Sequence, residues 1–289
     1  QQAVNFGAQS VLAGGNDIVL AGGVESMSRV PISSDAGVLN EKLVAKYDVV
    51  PQGIAADLVA DKYEITREQM DEFSYWSHRK AVKAIDDGRF KAEIIPVPVI
   101  DEQGTKRAFD TDEHPRRNTS LEKLASLPPA FRADGRITAG NSSGINDGAA
   151  ALLVTTDAKA KEMGWTPRAR ILATSQVGVD PVVMLEGPIP ASRKVLDKTG
   201  LTINDIDVWE INEAFASVPL GTIKALDLDP ARVNPNGGAI ALGHPLGATG
   251  ARLLLTAMHE LERRKKTYAL STLCIGFGQG IATIIERLT

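Results

Sequence analysis

Three short motifs near the carboxyl end of the chain contain an amide, an imidazole and the only thiol of the sequence. They read NEAFA at residues 212–216, GGAIALGHPLGATGAR at 237–252 and CIGFGQG at 274–280. Their chemically active side chains are Asn212, His244 and Cys274. Histidine and cysteine transfer protons, and backbone N–H groups of a glycine turn stabilise an oxyanion. Proton transfer beside an oxyanion is therefore the candidate chemistry.

Predicted strands and helices place these groups at element ends. His244 precedes a helix predicted over residues 248–264, and the N-terminus of a helix favours a neutral imidazole. Cys274 closes an apolar strand predicted over residues 268–273 and opens the glycine turn. Dense glycine within apolar segments needs a backbone reason, such as positive φ or a ligand lying against N–H groups.

Less specific interpretations remain open for the same residues. A lone cysteine is more often a small buried apolar residue than a catalyst. A cysteine and a histidine distant in sequence are a weak nucleophile signal until they meet in space. His78, His114 and His259 lie among charged or polar residues, which predicts surface histidines. No glycine-rich phosphate-binding motif follows a predicted strand.

Taken in order, the motifs resemble the C-terminal half of the thiolase family, acyl-CoA acyltransferases that include acetyl-CoA acetyltransferase and 3-ketoacyl-CoA thiolase. The resemblance covers almost the whole chain, because GGVESMS at 22–28, TAGNSSGINDGAA at 138–150 and GPIPA at 187–191 also match. It implies an α/β thiolase fold of two similar layered halves, the first incomplete, with an inserted helix-rich loop domain. It also implies thiolytic cleavage of 3-ketoacyl-CoA or Claisen condensation of acetyl-CoA through an acyl-cysteine intermediate.

The resemblance assigns catalytic roles to four residues. His244 matches the histidine that activates the nucleophile and binds the thioester oxygen, and Asn212 matches the asparagine that holds a water in that oxyanion hole. Cys274 matches the cysteine that acts as acid and base. The N–H of Gly276 matches part of a second oxyanion hole.

Four more residues match substrate positions of the family. Ser143 matches a serine near the pantetheine of CoA, and Arg116 matches a loop arginine near its nucleotide. Met184 and Phe215 match residues that line the acyl and pantetheine tunnel.

The chain departs from the family at three places. The cysteine acylated in thiolases precedes the segment that resembles residues 1–5, and the sequence holds no such cysteine. We therefore expect that the chain lacks its nucleophile segment and is inactive alone. Phe277 replaces a common glycine, which predicts a different or strained turn and a narrower acyl pocket. Pro51 and Gln52 replace the His-Met of some short-chain thiolases, which favours a 3-ketoacyl thiolase of β-oxidation.

Composition limits the classes of function. The net charge of −4 over 289 residues gives no general basic field for nucleic acid. No apolar run approaches the ~20 residues that span a bilayer. One cysteine excludes an internal disulfide framework and suits a reducing compartment, so cytoplasm is expected, with mitochondrion or peroxisome open. Local cations such as Arg116, Arg117 or Lys123 would bind anionic CoA, although each is also explained as a solvated charge.

The predicted organisation follows from alternating elements. Residues 1–30 and 134–166 form the remainder of an N-terminal thiolase half, 31–133 a loop domain covering CoA, and 167–289 the C-terminal half. A helix is predicted over 1–13, and a strand over 17–20 that ends at Gly22 and Gly23. In the C-terminal half, a strand is predicted over 208–211 and a helix over 214–226.

The expected partners are acyl-CoA and CoA, the N-terminal remainder of the same protein, and further copies in a homodimer or homotetramer. No cofactor other than the CoA thioester substrates and no metal is expected. The alternative function is a non-catalytic acyl-CoA-binding or subunit-interface protein of thiolase fold. Asn212, His244 and Cys274 together favour the enzyme, because a binding scaffold does not need all three.

Overall fold

The computed structural model describes residues 1–32, 34, 37–101 and 103–288. The helices are α1 (Gln2–Leu12), α2 (Glu41–Lys46), α3 (Gln52–Lys62), α4 (Arg67–Asp86), α5 (Leu121–Ala125), α6 (Asp157–Glu162), α7 (Pro188–Thr199), α8 (Ser217–Leu226), α9 (Ala239–Leu242) and α10 (Leu246–Arg264). The strands are β1 (Ile18–Ser26), β2 (Val97–Ile100), β3 (Lys106–Phe109), β4 (Asp147–Thr155), β5 (Ala169–Gly178), β6 (Val208–Ile211), β7 (Tyr268–Ile275) and β8 (Gln279–Arg287). This is the α/β architecture that the sequence predicts.

A four-stranded sheet positions the three carboxyl-terminal motifs. Its order is β5-β8-β7-β6, with β6 parallel to β7 and β8 antiparallel to both of its neighbours. Strand β6 is buried at every position, as expected for a strand covered on both faces. Helix α7 packs against Trp209 and Ile211 on one face, whereas α10 packs against Val208 and Ala269 on the other.

Strands β1 and β4 form a separate antiparallel pair, from Ile18 opposite Thr155 to Ser26 opposite Asp147. The prediction that this first strand ends at Gly22 and Gly23 is wrong, because both glycines continue the ladder. Their small size has another use. A side chain at Gly23 would collide with the carbonyl of Gly247 at the start of α10, so glycine lets that helix end dock on β1.

The two faces of this strand pair differ in their environment. Val19, Ala21 and Leu152 pack toward α1 and α10 in one apolar cluster. The opposite face exposes Leu20 and Val24 by 74% and 71%. Within the described ranges, none of the helices is both long and apolar enough to cross a bilayer.

Residues 31–133 hold four helices, α2 to α5, and the β2-β3 hairpin in their described part. Thr66 and Gln69 form a reciprocal capping box at the start of α4. The prediction that His78 lies on the surface is wrong: it is 3% exposed on α4, and its Nδ1 accepts a hydrogen bond from the backbone N–H of Arg116 at 3.1 Å. His114 and His259 are partly exposed. The division of the chain into domains stays a prediction.

Candidate active site

Asn212 and Cys274 lie at the same edge of the four-stranded sheet. Strands β6 and β7 are parallel, so their carboxyl ends meet at one edge, where α/β sheets place their ligands. Asn212 directly follows β6, and its backbone N–H donates to the carbonyl of Thr272 at 3.0 Å. Cys274 follows Thr272 near the end of β7. The sheet topology therefore brings the amide and the thiol together.

His244 reaches this edge from the turn between α9 and α10. Gly243 has a φ of 92°, a conformation that favours glycine. The backbone N–H of His244 donates to the carbonyl of Gly144 at 3.0 Å, which joins this turn to the segment that carries Ser143. Nε2 of His244 lies 3.2 Å from Nδ2 of the fully buried Asn212. The structure thus pairs the two side chains that the sequence singled out.

The environment of His244 favours a neutral imidazole. Burial, followed by the positive charge of Arg252, lowers the pKa of His244 to about 4. The sequence predicted a neutral histidine from the helix N-terminus, whereas burial and Arg252 are the causes found here. A neutral imidazole accepts a proton at physiological pH.

Burial raises the pKa of Cys274, whereas it lowers the pKa of His244. Its side chain packs against an apolar cluster that contains Met184 and Phe215, the two predicted tunnel residues. Burial raises the pKa of the Cys274 thiol to about 12, so the resting group is a thiol that can donate a proton. Acting as a base requires a thiolate, and this environment makes that form costly.

The turn after Cys274 is strained, as predicted. Phe277 has a φ of 62°, in the left-handed region that is costly for a residue with a Cβ. Its side chain is 58% exposed and does not fill the buried space beside Met184 and Phe215. Gly276 faces the carboxamide of Gln52 at the start of α3, a neighbour to which the sequence gave no role in this turn.

The remaining predicted substrate residues occupy two places. Ser143 lies beside the NEAFA segment, and its backbone N–H donates to the carbonyl of Ala214 at 3.0 Å. Arg116 is exposed, its backbone N–H donates to Nδ1 of His78, and its positive charge contributes to the lowered pKa of that histidine. Arg117 forms an exposed ion pair with Asp86 at 2.7 Å, so a carboxylate already balances its charge.

Sequence reasoning missed Glu213, which is 1% exposed next to Asn212. Its carboxylate accepts hydrogen bonds from Ser77 Oγ at 2.7 Å, Asn234 Nδ2 at 2.8 Å and the backbone N–H of Ile240 at 3.1 Å. Burial raises its pKa, and these bonds act in the other direction. An acidic residue within a buried motif was the available signal, because such a group needs partners.

Comparisons with known proteins agree along the whole chain. Residues 1–158 match the family model described as thiolase, N-terminal domain, and residues 165–287 match the model described as thiolase, C-terminal domain. A 3-oxoadipyl-CoA/3-oxo-5,6-dehydrosuberyl-CoA thiolase of Escherichia coli (strain K12) is 46% identical, over 99% of this chain and 76% of the relative. An acetyl-CoA acetyltransferase of Pseudomonas aeruginosa is 44% identical with the same coverage.

Solved structures give the same result for the fold. The acetyl-CoA acetyltransferase of Bacillus anthracis superposes with a TM-score of 0.89 at 42% identity. Human mitochondrial 3-ketoacyl-CoA thiolase superposes with a TM-score of 0.91 at 40% identity. Each match covers 99% of this chain and 76% of the solved chain.

Proposed function

The chain belongs to the thiolase family, and from this we propose that it works as an acyl-CoA C-acyltransferase through the site formed by Asn212, His244 and Cys274. The reaction is thiolytic cleavage of a 3-ketoacyl-CoA, or the reverse condensation of two acyl-CoA molecules. The observation that carries the proposal is the contact of 3.2 Å between Asn212 and His244, at the sheet edge that also holds Cys274.

The first half-reaction transfers an acyl group to a nucleophilic cysteine. In the condensation direction, Nε2 of neutral His244 takes the proton of the nucleophilic thiol, and the thiolate attacks the thioester carbon. Negative charge develops on the thioester oxygen, where the imidazolium N–H and the Asn212 side chain lie ready to stabilise it. The bond between the thioester carbon and the CoA sulfur then breaks, and the departing CoA thiolate takes the proton from His244. A preorganised donor of this kind contributes about 3–4 kcal/mol.

The second half-reaction makes or breaks a carbon–carbon bond, and we assign its proton to Cys274. In condensation, the Cys274 thiol first passes its proton to neutral His244, and the Cys274 thiolate then takes a proton from the carbon next to the second thioester. That carbon attacks the acyl-enzyme, and the nucleophilic cysteine leaves as a thiolate that recovers the proton from His244. In thiolysis the same thiol returns the proton to the departing carbon. The raised pKa of Cys274 suits the donor role, since the thiol is the resting form. The N–H of Gly276 would stabilise the enolate oxygen.

We also propose a substrate class, the ligands, an oligomeric assembly and a compartment. Gln52 lies beside Gly276, and together with Pro51 it favours a 3-ketoacyl thiolase of β-oxidation. We propose acyl-CoA and CoA as ligands, with no cofactor beyond these substrates. A homodimer or homotetramer would cover exposed apolar residues such as Leu20 and Val24. A single cysteine supports the cytoplasm as the compartment.

The test measures CoA-dependent loss of acetoacetyl-CoA and of a longer 3-ketoacyl-CoA with the full-length protein. Wild type should turn over at least one of these substrates, and His244→Ala should lower kcat/KM by about 10²–10⁴-fold, as for other acid–base groups. The matched control is His259→Ala, which removes a partly exposed histidine of α10 and should leave kcat/KM unchanged. Calorimetric binding of acyl-CoA without turnover would instead favour the non-catalytic alternative.

A further inference from the structure

Thr249 contacts the imidazole nitrogen of His244 that faces away from Asn212. Thr249 lies in the first turn of α10 and is fully buried. Its Oγ1 lies 2.7 Å from Nδ1 of His244 and 2.9 Å from the carbonyl oxygen of Pro245. A threonine hydroxyl that bonds a carbonyl one helical turn earlier is a common local arrangement. Here the same oxygen also meets a catalytic ring.

The hydrogen bonds of these groups match the tautomer of His244 that carries its hydrogen on Nδ1. A hydroxyl has one hydrogen, and in the structure the Thr249 hydroxyl donates it to the carbonyl oxygen of Pro245, which also accepts from the backbone N–H groups of Ala248 and Thr249. Oγ1 then offers a lone pair to His244, which means that Nδ1 carries a hydrogen and donates it. Nε2 is left with a lone pair, and it accepts from the Nδ2–H₂ group of Asn212.

The other tautomer fits the same contacts poorly. A hydrogen on Nε2 would point at the donor hydrogens of the Asn212 amide, 3.2 Å away. The bare Nδ1 would then face an oxygen whose single hydrogen is used elsewhere. That tautomer requires two rearrangements: the Thr249 hydroxyl turns from Pro245 to Nδ1, and the Asn212 amide reverses so that its oxygen, which has no partner here, faces Nε2–H.

We propose that Thr249 is a positioning residue that holds His244 in the Nδ1–H tautomer, so that the lone pair that takes the nucleophile's proton is on Nε2, which faces the Asn212 amide at rest. The proton moves from the cysteine sulfur to Nε2, and the electron pair stays on sulfur as the attacking thiolate. The resulting imidazolium keeps its Nδ1–H bond to Thr249 and offers its new Nε2–H to the thioester oxygen. The catalytic part of this proposal rests on the proposed function, whereas the tautomer does not.

Nuclear magnetic resonance reads the tautomer without any substrate. The full-length protein is labelled with ¹⁵N-histidine, and long-range ¹H–¹⁵N correlations are recorded at neutral pH. His244→Asn identifies the signals of His244 by their loss. Wild type should show a protonated Nδ1 and an unprotonated Nε2. A protonated Nε2 in wild type would overturn the proposal, and this needs no Thr249 variant to fold.

Three substitutions test the role of the hydroxyl. Thr249→Val replaces it with a methyl group of similar size, Thr249→Ser keeps it, and Thr249→Ala also removes it if the valine variant does not fold. The Val or Ala variant should lose the Nδ1–H pattern and lower kcat about 10–100-fold with little change in KM, as for other supports of a functional histidine. Thr249→Ser should restore both. An unchanged spectrum and unchanged kcat in Thr249→Val would contradict the role.

The same data separate this inference from the proposed function. If wild type shows the Nδ1–H tautomer, Thr249→Val abolishes it, and no 3-ketoacyl-CoA is turned over, then the reaction is wrong and the hydrogen-bond assignment stands. If turnover is normal and Thr249→Val leaves kcat unchanged, the reaction stands and the role of Thr249 falls.

Discussion

Replacing Asn212 with aspartate should raise the pH below which the enzyme loses activity. The substitution puts a carboxylate oxygen about where the amide now lies, 3.2 Å from Nε2 of His244. Unit charges at that separation attract by about 5 kcal/mol at an effective dielectric of about 20, which is an upper limit of about 4 pKa units. Burial of the carboxylate opposes this, so a rise of about 1–3 units in the pKa of His244 is expected.

The sign of the effect follows from the proposed role of His244 as a base. Its pKa is lowered to about 4, so wild type keeps a neutral base down to that pH. In Asn212→Asp the imidazole is protonated below about pH 5 to 7, and a protonated ring cannot accept the thiol's proton. The assay is kcat/KM for thiolysis as a function of pH, with circular dichroism at each pH to show that the variant stays folded.

Asn212→Ala is the matched control, because it removes the same amide without adding a charge. Its kcat/KM should fall about 10²–10³-fold, as for a lost oxyanion donor, while the acid limb stays near that of wild type. Acid limbs that coincide in Asn212→Asp and Asn212→Ala would refute the reasoning. They would show that His244 Nε2 does not face this side chain during the reaction.

Three further predictions test other parts of the structure. Cys274→Ser should slow the condensation step about 10²–10⁴-fold but leave acylation by acetyl-CoA intact, as read by peptide mass mapping; an acyl adduct on Cys274 itself would make it the nucleophile. Lys265→Gly should raise the free energy of unfolding in urea by about 0.5–1 kcal/mol, because Lys265 caps α10 at a φ of 54°, whereas Lys266→Gly should give no such gain. Burial lowers the pKa of His78 to about 4, so between that value and the ordinary 6.5 the unfolded chain binds more protons than the folded chain. The free energy of unfolding therefore falls as the pH is lowered through this window. His78→Gln should reduce that slope by up to about 1.4 kcal/mol per pH unit near pH 5. An unchanged slope in urea titrations across that window would contradict the last prediction.

Local patterns predicted elements whose partners are near in sequence. The strand expected over residues 208–211 coincides with Val208–Ile211, and the helix expected from residue 248 begins at Leu246. The sequence pattern misplaced the start of a helix where a long-range hydrogen bond replaces one within the helix. Helix α8 was expected from residue 214 but begins at Ser217, because the carbonyl of Ala214 bonds Ser143 instead of continuing a helix.

In the candidate site too, residues within short motifs were predicted, whereas contacts that depend on the folded chain were not. Motif resemblance found His244, Asn212 and Cys274, because each lies in a short segment of unusual composition. Thr249 belongs to the same motif as His244, yet its contact with Nδ1 depends on how the turn before α10 folds. Arg252 lies two turns along α10 and affects the pKa of His244 through space, which spacing alone does not reveal.

Glu213 links helix α4, which lies within residues 31–133, to the segment that carries Asn212. One oxygen of its buried carboxylate accepts from Ser77 of α4 and from the backbone of Ile240, and the other accepts from Asn234. A buried carboxylate is tolerated only while such donors surround it. Displacing α4 would take away the Ser77 donor and leave this charge beside Asn212 undersatisfied. The position of the amide that faces His244 therefore depends on a helix more than a hundred residues earlier in the chain.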